Sequence, residues 1–214
     1  IGEIPEGWEV RRLKWSLLPG KEGMRIGPFG SSLKLDIMVE AGIKVYGQEN
    51  VIASDYTLGK RKVTFDKYQE MRVYEVNPRD ILLSMMGSTG NFSIVPDNIE
   101  KGIIDSHLLR IRFQKTLSPQ YFIYLSNYST SITQQIDAIG KGSIMQGLNS
   151  KLVRQLLLPL PPFREQLAIA DFLDREMVKI DTMVGKIEKQ IELLNEYKQS
   201  LITHVVTGKI DVRG

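Results

Sequence analysis

The residues of this sequence best suited to chemistry lie in loops that combine glycine, hydroxyl and basic side chains. The first loop is the segment 27–34, Gly-Pro-Phe-Gly-Ser-Ser-Leu-Lys, with Arg25 just before it. Glycines allow the backbone to approach a phosphate, hydroxyls donate to phosphate oxygens, and Lys or Arg supplies charge. The spacing of a nucleotide-binding P-loop is absent. The segment therefore indicates either a phosphate contact of another kind or an ordinary surface turn.

A second loop of this kind covers 140–149, Gly-Lys-Gly-Ser-Ile-Met-Gln-Gly-Leu-Asn. It offers a Lys for a phosphate, and its Gln and Asn are side chains suited to the edge of an adenine. Gly59-Lys60-Arg61-Lys62 is the only basic triplet of the chain, and a cluster of that size usually just solvates a turn. These segments favour binding to nucleic acid over catalysis.

Three short matches to enzyme motifs fail on inspection. The run Gly87-Ser88-Thr89-Gly90-Asn91 does not fit the Gly-x-Ser-x-Gly of a nucleophile elbow. Leu160-Pro161-Pro162-Phe163 has Leu where amino-methyltransferases need Asn or Asp, and Glu196-Tyr197-Lys198 belongs to a helical repeat. With no Cys and only two His, metal ligands are scarce. We expect neither catalytic nor metal-binding residues.

An apolar repeat in the last quarter of the chain predicts the element that organises the molecule. Its positions are spaced alternately four and three apart, which keeps one narrow stripe facing a partner helix. We call these ten positions the seam. They are Leu173, Met177, Ile180, Val184, Ile187, Ile191, Leu194, Lys198, Leu201 and Val205. Lys198 fills the one polar position, and a core helix that folds back on its own domain is the less favoured alternative.

Prolines and a glycine mark the ends of this helix. Leu158-Pro159-Leu160-Pro161-Pro162 excludes a helix or a central strand, and Pro162 suits the first helical position. Gly208 is typical of a left-handed C-terminal cap. A helix from Phe163 to Val206 would be about 65 Å long at 1.5 Å per residue. We expect a globular domain at 1–160 and a spacer or dimerisation helix with its tail at 161–214.

Upstream of the helix, short apolar runs alternate with turn residues. The patterns predict strands at Ile43–Tyr46, Lys62–Phe65, Ile81–Met86, Phe92–Val95 and Leu108–Phe113, and helices at Pro119–Tyr128 and Asn149–Leu156. The expected fold is therefore α+β, with a mixed or antiparallel twisted sheet and short helices followed by one long coiled-coil helix.

The charge is distributed unevenly along the chain. Residues 1–162 carry 20 Lys and Arg against 16 Asp and Glu, whereas residues 163–207 carry 6 against 8. The globular part is thus the better candidate for a polyanionic partner. No apolar stretch approaches the ~20 residues of a membrane span, and we expect a cytoplasmic protein without a membrane partner.

Several motifs in a fixed order resemble the specificity subunit of type I restriction–modification enzymes. They are Ile4-Pro5-Glu6-Gly7-Trp8-Glu9-Val10, the loops at 27–34 and 140–143, Leu158–Gln166 leading into Ile169–Asp174, and the closing 201–211. The resemblance covers essentially the whole chain. Members of that family normally carry two target recognition domains and two such helices, so one of each implies a half-length subunit or a C-terminal half.

The resemblance implies a non-catalytic chain that recognises one half of a bipartite double-stranded DNA site. Two copies would pair through antiparallel helices, and methylation and restriction subunits would bind S-adenosylmethionine, ATP and Mg, with no cofactor on this chain. The DNA contacts expected from residue type are Arg25, Ser31, Ser32, Lys34, Lys60, Arg61, Asn91, Lys141, Ser143 and Gln146. The alternatives are a coiled-coil adaptor that binds protein and, less favoured, a methyltransferase active on its own.

Overall fold

The computed structural model describes residues 3–29, 32–85, 90–141 and 150–212, apart from the side chains of 35 and 139–141. It has the predicted α+β architecture, with three small sheets, short helices and one long helix. The strands are β1 Glu9–Arg12, β2 Met24–Ile26, β3 Ile43–Tyr46, β4 Lys62–Val63, β5 Ile81–Ser84, β6 Phe92–Ile94, β7 Gly102–Ile104, β8 Leu108–Ile111 and β9 Leu157–Leu160. The α-helices are α1 Gln48–Ile52, α2 Phe65–Glu70, α3 Pro119–Tyr128, α4 Thr130–Lys141, α5 Ser150–Val153 and α6 Phe163–Val206.

Two of the sheets form the centre of the globular part. One has the order β2-β8-β5-β6 and is antiparallel throughout, and the other has the order β4-β3-β7. In the second sheet β3 pairs antiparallel with β4 and parallel with β7, so that Tyr46 lies opposite Ile104. The predicted mixed or antiparallel sheet is thus confirmed as two separate sheets.

Successive residues of β3 and β7 pack into two different apolar clusters. Tyr46 and Ile104 belong to one cluster with Leu82 and Leu108 of the neighbouring sheet. Val45 and Ile103 belong to another, which includes residues of β4 and α2. Because strand side chains alternate between faces, this sheet is buried on both sides, and the apolar run Ile43–Tyr46 has few polar positions for that reason.

Most of the predicted elements are confirmed with shorter ends. Helix α3 has the predicted bounds, with Pro119 in its first turn and Ser118 as its N-cap. The strand predicted at Lys62–Phe65 stops at Val63, because the Thr64 hydroxyl accepts a hydrogen bond from Lys67 N at 3.2 Å and caps α2. The prediction of a strand through Phe65 was therefore wrong. Helix α4 was not predicted, although Ile132 and Ile136, four residues apart on one face, are both buried.

The proline-rich segment forms a strand that the sequence did not predict. Strand β9 contains Pro159 and pairs antiparallel with β1, in a sheet of two strands. A proline is tolerated there because a two-stranded sheet has only edge strands. Trp8, just before β1, donates from Nε1 to Glu165 Oε1 at 3.1 Å in the first turn of α6.

The long helix has the predicted bounds and the predicted cap. Pro162 precedes it by one residue, and its carbonyl accepts from Glu165 N at 2.8 Å. At the other end Gly208 has φ +72°, with bonds from Gly208 N to Val205 O and from Lys209 N to His204 O. These two bonds define a Schellman motif.

The chain forms two compact units, residues Ile1–Ala168, called the head below, and Ile169–Gly214. Among the described residues, no helix combines the length and the apolar composition needed to cross a lipid bilayer.

Candidate nucleic-acid interface

The ends of several strands bring polar loops to one edge of the head. Parallel strands β3 and β7 finish side by side, and Asp105 N donates to Tyr46 O at 2.9 Å where they end. The chain then continues into Gln48 after β3 and into Asp105 and His107 after β7. The polar side chains that follow β3 and β7 therefore lie close together at one edge of the sheet.

Strands of the neighbouring sheet end at the same edge. Met85 N, just after β5, donates to His107 O at 3.0 Å, and Gly27 N, just after β2, donates to Leu108 O at 2.9 Å. Ser84 Oγ donates to Gln48 Oε1 at 2.8 Å and joins the two sheets. We call the residues gathered here the loop edge. They are Gly27, Gln48, Glu49, Arg61, Ser84, Met85, Asn91, Asp105, Ser106 and His107.

Gly27 is required at the loop edge by backbone packing. A Cβ atom at this position would overlap the carbonyl oxygen of Asp105. The glycine that opens the 27–34 segment thus lets β2 end against the turn between β7 and β8. This packing role is separate from the phosphate approach suggested by its composition.

Arg61 is held in two ion pairs at the loop edge. Its guanidinium donates to Asp105 Oδ2 at 2.9 Å and to Glu49 Oε1 at 3.0 Å. Burial opposes the charge of the guanidinium, but the hydrogen bond and charge of Asp105, together with Glu49, raise the pKa of Arg61. Arg61 therefore joins the loop before β4 to the ends of β3 and β7.

Apart from Arg25, the other predicted DNA contacts fall into three groups. Lys60, Lys34 and Ser32 are exposed, and Lys60 directly precedes Arg61 in the same loop. Asn91 is half-buried, and its carbonyl accepts from Ser84 N at 3.1 Å, so it lies at the loop edge. The third group comprises Ser31, Ser143 and Gln146, which lie outside the described residues, as does the side chain of Lys141 at the end of α4.

Arg25 lies on β2, within a cluster of charged side chains. It is paired in register with Arg110 and contacts Glu22 at 3.4 Å, and its side chain is 17% exposed. Arg110 is fully buried, and burial, together with the nearby charge of Arg112, lowers the pKa of Arg110 to about 10. Arg25 thus contributes to a network inside the head and differs in this from Lys34 and Lys60.

Sequence reasoning missed seven residues that the structure brings to the loop edge: Gln48, Glu49, Ser84, Met85, Asp105, Ser106 and His107. A signal was present, because the polar run Gln48-Glu49-Asn50 follows the predicted strand Ile43–Tyr46 almost directly. Likewise, Asp105 and His107 immediately precede the predicted strand at Leu108. Polar residues next to buried strands therefore indicate the site as much as glycine and lysine do.

The seam of α6 is largely uncovered in the single chain. Six of its apolar residues are more than 40% exposed: Ile180, Val184, Ile187, Ile191, Leu194 and Leu201. An apolar stripe of this length on a helix surface indicates an interaction surface.

The sequence matches the model of a known domain family over residues 28–193, and the family is described as the type I restriction modification DNA specificity domain. The chain belongs to this family. The match includes the 27–34 segment and the loop edge except for Gly27, and most of the seam. The predicted resemblance is thereby confirmed, together with the prediction of a specificity chain, which is a non-catalytic class of subunit.

Relatives and solved structures agree with this assignment. The type I restriction enzyme MjaVIII specificity subunit of Methanocaldococcus jannaschii is 25% identical over all of this chain and 48% of its own length. A chain in a structure of a type I R-M system superposes with a TM-score of 0.70 at 16% identity, over 95% of this chain and 46% of that chain. The HsdS subunit from Thermoanaerobacter tengcongensis gives a TM-score of 0.61 at 18% identity, over 85% and 40%. This chain therefore spans about half the length of these proteins, and the structures confirm the fold.

Proposed function

We propose that this chain is a DNA sequence-specificity component of a type I restriction–modification complex and recognises one half of a bipartite site. The observation that carries the proposal is the loop edge, where five segments from two sheets present polar side chains together. Such an edge suits base contacts in a groove, and exposed Lys34 and Lys60 suit the phosphates beside it. Recognition would belong to residues 1–160.

We assign residues 161–214 the role of a spacer that pairs with a second copy of the chain. The spacings between successive seam residues alternate between four and three positions, and they begin and end with four. The pattern of spacings is therefore the same when it is read from either end. An antiparallel partner related by two-fold symmetry would thus place Leu173 opposite Val205 and Ile187 opposite Ile191 along the whole seam. Such a dimer would recognise an interrupted palindrome, with the helix length setting the gap.

The remaining surface of α6 would serve the partner subunits. Apolar side chains outside the seam, including Phe172, Met183, Leu193 and Tyr197, are more than half exposed. We assign this second surface to the methylation subunits, and we expect S-adenosylmethionine, ATP and Mg to be bound by the partners. A cytoplasmic location follows from DNA as the ligand.

Copurification and DNA protection test the proposed recognition function. The full chain, expressed with a methylation subunit, is expected to protect one interrupted DNA sequence from nuclease cleavage. Lys60→Ala is expected to weaken binding to all sequences by a few fold and to make the slope of log K against log salt shallower by about one unit. The exposed Lys115, elsewhere on the head, gives the control Lys115→Ala, which should leave both quantities unchanged.

Each alternative predicts a different result in the same experiment. A coiled-coil adaptor would copurify with protein partners but leave every DNA sequence unprotected. A methyltransferase active on its own would bind S-adenosylmethionine tightly as an isolated chain. Either result would contradict the proposed function.

A further inference from the structure

The side chain of Gln48 is held in one orientation at the loop edge. It is half-buried at the start of α1, and its Oε1 atom accepts a hydrogen bond of 2.8 Å from Ser84 Oγ. Ser84 is fully buried at the end of β5, in the neighbouring sheet. A buried hydroxyl that belongs to a different sheet thus holds the Gln48 amide through a hydrogen bond to its oxygen.

The backbone around Gln48 is fixed as well. Gly47 N donates to Asn50 Oδ1 at 3.0 Å, and Asn50 is fully buried. The amide nitrogen of Asn50 donates to the carbonyls of Asp55 at 3.0 Å and Leu58 at 2.9 Å. The loop that carries Gln48 is therefore closed on itself by one buried side chain with three bonds.

Arg61 adds a second support next to this loop. A Cβ atom at Gly47 would overlap the Arg61 guanidinium. The glycine therefore leaves room beside the backbone for Arg61 to pair with Glu49 and Asp105. A recognition side chain whose supports are already ordered loses little conformational entropy when it binds. Arg61, predicted as a DNA contact, serves here as a positioning residue.

The amide of Gln48 has the hydrogen-bonding pattern that an adenine requires. In the major groove an adenine presents N7 as an acceptor and the N6 amino group as a donor, and a Gln pairs with both. Oε1 has two lone pairs, of which Ser84 occupies one, and Nε2 makes no hydrogen bond within the residues that the structure describes. One acceptor site and the amide donors thus remain for a base.

The surroundings of Gln48 favour a base over a phosphate. Two carboxylates lie at the loop edge, those of Glu49 and Asp105, and both already pair with the one guanidinium of Arg61. A phosphate here would meet more negative than positive charge, whereas a neutral base edge would not. The phosphate contacts are assigned to the exposed side chains of Lys34 and Lys60.

From this geometry we infer that Gln48 recognises an adenine in the target half-site and that Ser84 positions it. The inference rests on the proposed DNA-recognition function and goes beyond it, because it names the base and the side chain. Gln48 accepts from adenine N6 through Oε1 and donates to N7 through Nε2. A specificity-determining contact is thus assigned to a residue that composition and spacing had not indicated.

Selection from a randomised DNA library tests this assignment. The full chain in complex with its methylation subunit is incubated with randomised duplexes, and the bound molecules are sequenced. Gln48→Ala is expected to lower the preference for adenine at one position by roughly tenfold and to leave the other positions unchanged. Gln48→Glu should shift that position toward cytosine, because a carboxylate accepts from cytosine N4.

Further variants separate positioning from contact and control for the mutation itself. Ser84→Ala is expected to weaken the adenine preference at the same position, and Ser84→Thr, which keeps the hydroxyl, to restore part of it. Gln69→Ala, at an exposed glutamine of α2, should leave the selected sequence unchanged. A thermal melt of each variant confirms that the head is folded.

The outcomes distinguish this inference from the function on which it rests. If the wild-type complex selects no sequence, the proposed DNA recognition is wrong. If the wild type selects a sequence and Gln48→Ala retains every preference, the assignment of Gln48 is wrong, while the proposed function stands. A uniform loss of affinity at all positions would likewise overturn a base contact.

Discussion

The head and the unit formed by Ile169–Gly214 use the same apolar residue types in opposite environments. Leu83 on β5 is fully buried among strands of its own chain, whereas Leu194 on the seam is 66% exposed. The head buries core residues such as Leu83 within its own 168 residues, between its sheets and helices. The seam lies on one helix, which has no interior of its own, and we propose that a second copy of the chain covers it.

The two units differ equally in where their polar groups lie. In the head, buried polar side chains such as Asn50 and Ser84 are bonded and support a loop edge. Along the helix the polar groups are on the surface, and its ion pair Lys179–Glu176 is exposed. Precise positioning of side chains is thus a property of the head, and length is the property that the helix supplies.

The largest expected effect comes from truncating one core side chain, which destabilises the head. Leu83→Ala is expected to lower the free energy of unfolding of the head by about 3 kcal/mol, from lost burial and the remaining cavity. Both tryptophans, Trp8 and Trp15, lie in the head, so urea unfolding followed by their fluorescence reports on this unit. Leu194→Ala is the matched control, and its effect on that transition should stay under about 0.5 kcal/mol. Equal effects of the two variants would contradict the contrast between the units.

The next largest effect is expected from a charge placed on the seam, which weakens the proposed helix pairing and leaves the stability of the head unchanged. Ile187→Asp buries charge in the seam, and we expect the dimer to weaken at least 100-fold, since an unpaired buried charge costs several kcal/mol. Sedimentation equilibrium of the full chain should show a dimer for the wild type at micromolar concentration and a monomer for the variant. Lys189→Asp introduces the same residue two positions away, off the seam, and should remain a dimer. A monomeric wild type would rule out the pairing.

The smallest expected effect comes from replacing Lys198, the one polar residue of the seam, with an apolar residue. In the two-fold antiparallel register Lys198 faces Ile180, and a polar residue at such a position costs stability while fixing the register. Lys198→Leu is expected to tighten the dimer by roughly tenfold, equivalent to about 1.4 kcal/mol. The measurement is the dissociation constant from sedimentation. If the constant does not change, Lys198 lies outside the interface.

Prediction from the sequence succeeded where the signal is local. The bounds of α3 and α6 and the cap at Gly208 depend on residues a few positions apart, and all are confirmed. Strand β9 was missed because Pro159 argues against a strand, and only its pairing with β1 creates the edge position that tolerates it. Strand β7 was missed because Gly102–Ile104 is too short to show a pattern.

The sequence predicted some of the loops that form the candidate site, but few of the individual residues in it. The glycine-rich segment at 27–34 and the basic triplet with Arg61 do border the loop edge. Gln48 and His107 were missed because the significance of each polar side chain depends on strands distant in sequence. The different environments of Arg61 and Lys60, adjacent in the chain, arise from the position of Asp105, which is 44 residues away from Arg61.

The sequence by itself determined the long helix, its apolar seam and the family of the chain, because periodicity, caps and motif order are properties of neighbouring residues. Tertiary structure alone decided which polar side chains meet. The parallel pairing of β3 with β7 and the antiparallel pairing of β5 with β8 bring Gln48, Ser84 and Asp105 to one edge. No local pattern encodes that meeting, since it depends on how strands far apart in the chain are ordered in the sheets.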